Sequence, residues 1–215
     1  MWHLGTSYET ILQMVSSTKM GRGIFAIEGE WHSDLRQGLS FRPIVELLSK
    51  MDNRISFVHR DAATRAELFY YLDKWTQKRY SRYPILYLGY HGVQECILIG
   101  DGRSRDRQLS LSELGQQLEG RCAQRIIYLG SCETMKMDGR KLKAFLRQTG
   151  ALAVCGYREQ VNMLRSAAFE LLLFHALLQN TLTIQGARAT ARSIQRDEKP
   201  LCSDLGFRMV VRSPK

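Results

Sequence analysis

The sequence lacks the features that would assign it to several common classes. Its five cysteines are an odd number and none stands in a CxxC pair. That argues against a disulfide scaffold or a structural zinc site and fits a reducing, cytoplasmic setting. No apolar run approaches the roughly 20 residues that span a bilayer. The most apolar stretch, residues 167–178, is interrupted by Glu170 and His175, so no membrane association is expected. The start, MWHLGTSYETILQMVSSTKM, has no basic beginning followed by an apolar core. Residues 1–21 therefore read as a polar extension, and 22–215 as a single domain. No GxGxxG or GxxxxGK[ST] phosphate loop is present, nor a zinc-finger, RNP or helix-turn-helix pattern, nor an internal repeat.

Negative charge is also scarce: 21 Asp and Glu stand against 31 Lys and Arg, a net charge of +10 over 215 residues. Residues 1–100 hold 12 basic and 10 acidic side chains, whereas residues 101–215 hold 19 and 11. The excess thus lies in the C-terminal half, partly in the polar loop at 101–108 and partly in Arg188, Arg192 and Arg196, which recur every four residues on one helix face. Such a stripe reads first as a solvated face, or as a surface for an acidic regulatory partner protein. Without a supporting motif, nucleic acid is not expected as a partner.

What is present is an alternation of apolar strands and amphipathic helices. Strands are expected at 23–28 (GIFAIE), 55–58, 84–89 (PILYLG), 125–130 (RIIYLG) and 151–155 (ALAVC), with a hairpin arm at 96–100 and a last, edge strand at 206–211. Helices are expected at 43–51, 64–78, 111–118, 141–148, 161–178 and 184–195; Thr64 with Glu67 forms a capping-box pattern. Strands apolar on both faces and separated by helices indicate a mostly parallel sheet covered on both sides. The expected fold is α/β, a three-layer α/β/α sandwich on a six-stranded sheet.

In such a sheet, ligands bind beyond the carboxyl ends of the strands. His91 and Gly92 follow the third strand, and Ser131 and Cys132 follow the fourth. If those strands are neighbours, a thiol and an imidazole share one edge. The thiolate is the nucleophilic form of cysteine, and an adjacent imidazole can accept its proton. The amides of Gly92 and Cys132 could then form an oxyanion hole.

The two blocks, ILYLGYHG (85–92) and IIYLGSC (126–132), separated by about 40 residues, resemble the caspase-like cysteine peptidases, a clan that includes caspases, metacaspases, separases, gingipain-like enzymes and bacterial CHAT proteases. The strand and helix order fits that core over residues 23–178. The resemblance implies an endopeptidase with Cys132 as nucleophile and His91 as general base and acid, working through a thioester and needing no metal or other cofactor. It departs from the caspase QAC and metacaspase DSC triplets in having Gly130 at the first position, and Glu133 follows the nucleophile where an arginine would stand. Aspartate specificity at P1 is therefore not implied. Glu28, Glu30, Asp101 and Glu133 make the strand ends locally acidic, which favours a basic P1 residue through charge-assisted hydrogen bonds. Arg158 opposes this, and Tyr157 is a further candidate for lining the peptide groove. A basic or small P1 is the expectation, and the loop at 102–107 is a possible self-cleavage segment. The competing reading is a catalytically silent caspase-like or flavodoxin-like module that binds a protein or nucleic acid.

Overall fold

The computed structural model describes residues 22–100 and 107–213. The expected extension at 1–21, Asp101 and most of the loop at 101–108 lie outside the described residues.

Six strands form the central sheet: β1 (Gly23–Glu28), β2 (Ser56–Asp61), β3 (Ile85–Gly89), β7 (Ile126–Leu129), β8 (Ala153–Tyr157) and β9 (Phe207–Val211). Their order is β2-β1-β3-β7-β8-β9. All neighbours are parallel except the edge strand β9, which runs antiparallel to β8. Three short strands, β4 (His91–Val93), β5 (Cys96–Leu98) and β6 (Gln108–Ser110), form a separate antiparallel sheet. The hairpin arm expected at 96–100 is the middle strand of this sheet. Its two flanking strands have only three residues each, too few to show a period in sequence.

Helices cover both faces. The odd-numbered side chains of β1, Phe25 and Ile27, share one core with α2 (Arg65–Trp75), α3 (Leu111–Gln117) and α4 (Gly139–Thr149). The even-numbered Ile24 and Ala26 share the other with α1 (Arg42–Met51), α5 (Met163–Gln179), α6 (Ile184–Asp197) and α7 (Lys199–Asp204). The period of two along each strand is thus used twice, once per face. The architecture is α/β with a mostly parallel six-stranded sheet, compatible with a three-layer sandwich.

Local signals set the helix ends. Thr64 and Glu67 exchange both capping-box hydrogen bonds at the start of α2, and Ser110 and Glu113 do the same for α3. The helix α4 stops at Gly150, whose φ of 77° is left-handed and suits glycine. The chain then needs two residues to reach the sheet, where Leu152 N–H bonds to the Arg125 carbonyl. This moves β8 to Ala153–Tyr157, two residues beyond the expected strand. Helix α7, absent from the expected elements, has only six residues with Pro200 in its first turn, too few to show a helical period in sequence. Among the described residues, no helix is long and apolar enough to cross a membrane.

Candidate active site

The register aligns the carboxyl ends of the central strands. Glu28 pairs with Asp61 and Gly89, and Leu88 pairs with Leu129. Because β3 and β7 are neighbours, the segments leaving them emerge side by side. Gly92 shows how closely they meet: a Cβ built there would lie 2.3 Å from the Cys132 carbonyl oxygen and 2.8 Å from Ser131 Cβ. Only glycine allows that approach. We expect Gly92→Ala to force the two segments apart, costing about 1–3 kcal/mol in urea unfolding and slowing thiol modification of Cys132. An unchanged unfolding midpoint and alkylation rate would show that the contact constrains neither.

His91 is exposed, but its ring is held. Its Nε2 lies 2.7 Å from the Trp31 carbonyl oxygen, and the Trp31 and His91 rings meet edge-on at 5.4 Å and 76°. A carbonyl can only accept, so Nε2 carries the proton and the neutral ring keeps its lone pair on Nδ1. That nitrogen is the one free to take a proton.

Cys132 is half-buried in the turn after β7. The turn is tied to the end of β8: Glu133 N–H bonds to the Glu159 carbonyl and Met135 N–H to that of Tyr157. Within it, Thr134 Oγ1 donates to the Ser131 carbonyl at 3.1 Å. Glu133 has a φ of 56°, a left-handed conformation that costs a non-glycine residue about 1 kcal/mol. Among the described residues, the Cys132 amide makes no hydrogen bond, leaving it open to a ligand oxygen. Burial raises the thiols of Cys122, to about 12, and Cys202, to about 11, and also raises that of Cys155. Half-buried Cys96 is raised by burial and then by Glu113 and Glu95.

Two expected groove residues lie elsewhere. Tyr157 is fully buried, because the shift of β8 places it inside the strand and turns it into the α5 core, where its hydroxyl donates to Glu170 at 3.0 Å. Glu28 is 1% exposed, since at the end of β1 it is paired on both sides, with β2 and with β3, and so stays within the sheet. Its Oε1 contacts Ser40 Oγ and lies 2.5 Å from His59 Nε2. Its Oε2 accepts from the Trp31 indole at 3.2 Å and the Phe41 amide at 2.9 Å. Burial alone would raise this carboxyl, but His59, Ser40, Phe41 and Trp31 together hold it below its ordinary value. It is thus an internal hub and cannot also face a substrate. Glu28, His59 and Asp61 are within reach of a shared cation, yet both Glu28 oxygens are already saturated by these partners.

Of the remaining candidates, Glu30 is exposed and lines a cleft of about 480 Å³, together with His32, Leu35, Arg65 and Arg107. Glu133 pairs with Lys136 at 3.2 Å. Arg158 is exposed and its Nε donates to the Gly206 carbonyl at 3.3 Å. His59 lies inside β2 with its side chain only 9% exposed, against Glu28. Two polar residues ending adjacent apolar strands were the available signal, but their pairing required knowing that β1 and β2 are neighbours.

The protein is therefore an α/β sheet protein presenting a cysteine and a histidine together at the carboxyl edge of its parallel strands. It belongs to DUF6642, a family of unknown function whose model matches residues 21–211. No curated protein matches the chain.

Proposed function

We propose that the protein is a cysteine endopeptidase of caspase-like fold, with Cys132 as nucleophile and His91 as general base and acid. The observation that carries this reading is the direct packing of Gly92 on the Cys132 carbonyl, which brings the His-Gly and Ser-Cys blocks into one site. The Trp31 carbonyl supports it by leaving His91 Nδ1 as the basic nitrogen. In the proposed reaction, Nδ1 takes the thiol proton and the thiolate attacks the scissile carbonyl. The developing oxyanion is held by the Cys132 amide and the Gly92 amide. His91 returns the proton to the leaving amine as the C–N bond breaks, leaving a thioester. Water, deprotonated by the same imidazole, hydrolyses the thioester and regenerates the thiol.

The proposed P1 residue is small or basic. Glu28 no longer supports a basic preference and Glu133 is paired with Lys136, so among the described residues Glu30 in the 480 Å³ cleft is the acid left to carry it. The exposed Arg188, Arg192 and Arg196 face of α6 is the proposed surface for an acidic regulatory partner.

Thiol mapping tests the assignment. At neutral pH, iodoacetamide is expected to modify Cys132 at least ~10-fold faster than any of the other four cysteines, and His91→Ala to abolish that advantage. Uniformly slow modification, or a fast Cys132 indifferent to His91, would favour the silent binding module.

A further inference from the structure

We propose that Glu28 is a positioning residue for His91, acting through Trp31, and that His59 clamps Glu28 in place. This inference rests on the assignment of His91 and Cys132 as a dyad. Trp31 is the only residue that touches His91 through both its backbone and its ring in the described contacts, by the 2.7 Å carbonyl bond and the edge-on ring contact. One anchor on Trp31 therefore fixes both. That anchor is the indole Nε1–H donated to Glu28 Oε2 at 3.2 Å. Glu28 is itself immobilised: it sits at the end of β1, paired in register on both sides, and His59 from the adjacent strand holds its other oxygen at 2.5 Å. Among the described residues, the segment after Glu28 has no strand partner beyond the Gly29 amide bond to Gly89. The Trp31 ring also packs beside Gly89, but its one N–H bonds to Glu28, so without the carboxylate the indole, and with it the carbonyl that orients His91, loses its polar anchor.

A carboxylate ordering an imidazole through an intermediate group acts as outer partners do at metal sites, where they fix the tautomer and orientation of the working ligand. The alternative is that Glu28 only ties the loop after β1 to the sheet. Ser40 and Trp31 separate the two roles. Both bond to Glu28, but the Ser40 bond leads away from His91 toward α1, whereas the Trp31 bond leads to it.

The decisive measurement is long-range ¹H–¹⁵N NMR of the His91 ring at a pH where it is neutral, with thermal unfolding recorded in parallel. The full chain should show His91 locked with its proton on Nε2. Trp31→Phe keeps the carbonyl and an aromatic ring but deletes the indole donor. It is expected to give a mixed tautomer population, as is Glu28→Gln, while Ser40→Ala lowers the unfolding temperature and leaves the His91 signals unchanged. Identical His91 signals in all four proteins, or equal changes in Ser40→Ala and Trp31→Phe, would overturn the proposal. The readout does not depend on catalysis. Cys132 alkylation in the same samples reports separately on the dyad, and its rate should fall at least ~10-fold in Trp31→Phe, because a misplacement of about 1 Å can cost 10²-fold. A locked tautomer that Trp31→Phe releases, with no His91-dependent thiol reactivity, would sink the peptidase reading while leaving the positioning role of Glu28 standing.

Discussion

Cys132→Ala and His91→Ala are each expected to reduce peptide cleavage by at least ~10³-fold while leaving the fold intact. The two effects should not add, because nucleophile and base act as one unit. Stability should survive for a structural reason. Cys132 is half-buried and His91 exposed, and among the described residues the imidazole bonds only to the Trp31 carbonyl, which water can satisfy when the ring is removed. A proteome-wide cleavage profile of wild type against Cys132→Ala reads activity and P1 preference together. Cleavage confined to Asp would refute the small or basic P1, and equal fragment patterns in the two proteins would refute the peptidase. Fragments ending within residues 102–107 in the wild type alone would identify self-cleavage.

The second large effect concerns stability and pH. Glu170, on α5, is 5% exposed in the apolar core, and its Oε1 accepts from the hydroxyls of Tyr128 at 2.9 Å and Tyr157 at 3.0 Å. Burial raises its carboxyl strongly. The two tyrosines act against this, the charge of Glu28 adds to it, and the value reaches about 8 from 4.5. At pH 7 the acid is therefore mostly protonated in the folded chain, although the unfolded chain ionises it. Between pH 4.5 and 8 the unfolded state binds fewer protons, so stability is full below 4.5 and declines as pH rises through the folded value. A shift of this size corresponds to a loss on the order of 5 kcal/mol, and to a drop of about 10–20 °C in Tm for a chain of this length. The lowered carboxyl of Glu28 has the opposite sign, and its contribution is lost as pH falls below its ordinary value of 4.5. The two windows do not overlap. Glu170→Gln cannot ionise and should flatten the decline between pH 5 and 8, gaining on the wild type toward pH 8. A parallel decline in both proteins, followed by calorimetry, would show that Glu170 is not its source.

Much of the site was readable before the fold. Two apolar blocks ending in YHG and GSC place an imidazole and a thiol at strand ends, since a buried parallel strand cannot carry polar residues until it leaves the sheet. The same logic misplaced Glu28 and Tyr157. Glu28 ends its expected strand and Tyr157 lies two residues beyond its own, so both are expected at the ligand edge, but whether such a side chain stays within the sheet is set by pairing with neighbours. Glu28 is held in β1 by partners on both sides. Tyr157 is held in β8 by Phe207 of an edge strand that arrives from 50 residues later. Hydrogen bonds from Trp31, His59, Ser40 and Phe41 then make a buried carboxylate tolerable at that position.

Local pattern thus determined the α/β alternation, the helix cap at Thr64 and the pair of blocks bearing His91 and Cys132. These depend on residues within a few positions of one another, through the strand period of two, the helical period of 3.6 and capping bonds three residues apart. Only the tertiary structure decided that β3 lies beside β7, so that Gly92 meets Cys132, and that the Trp31 carbonyl settles which His91 nitrogen is basic. Those contacts join residues about 40 and 60 positions apart, and they follow from strand order, which is chosen by the packing of both cores at once.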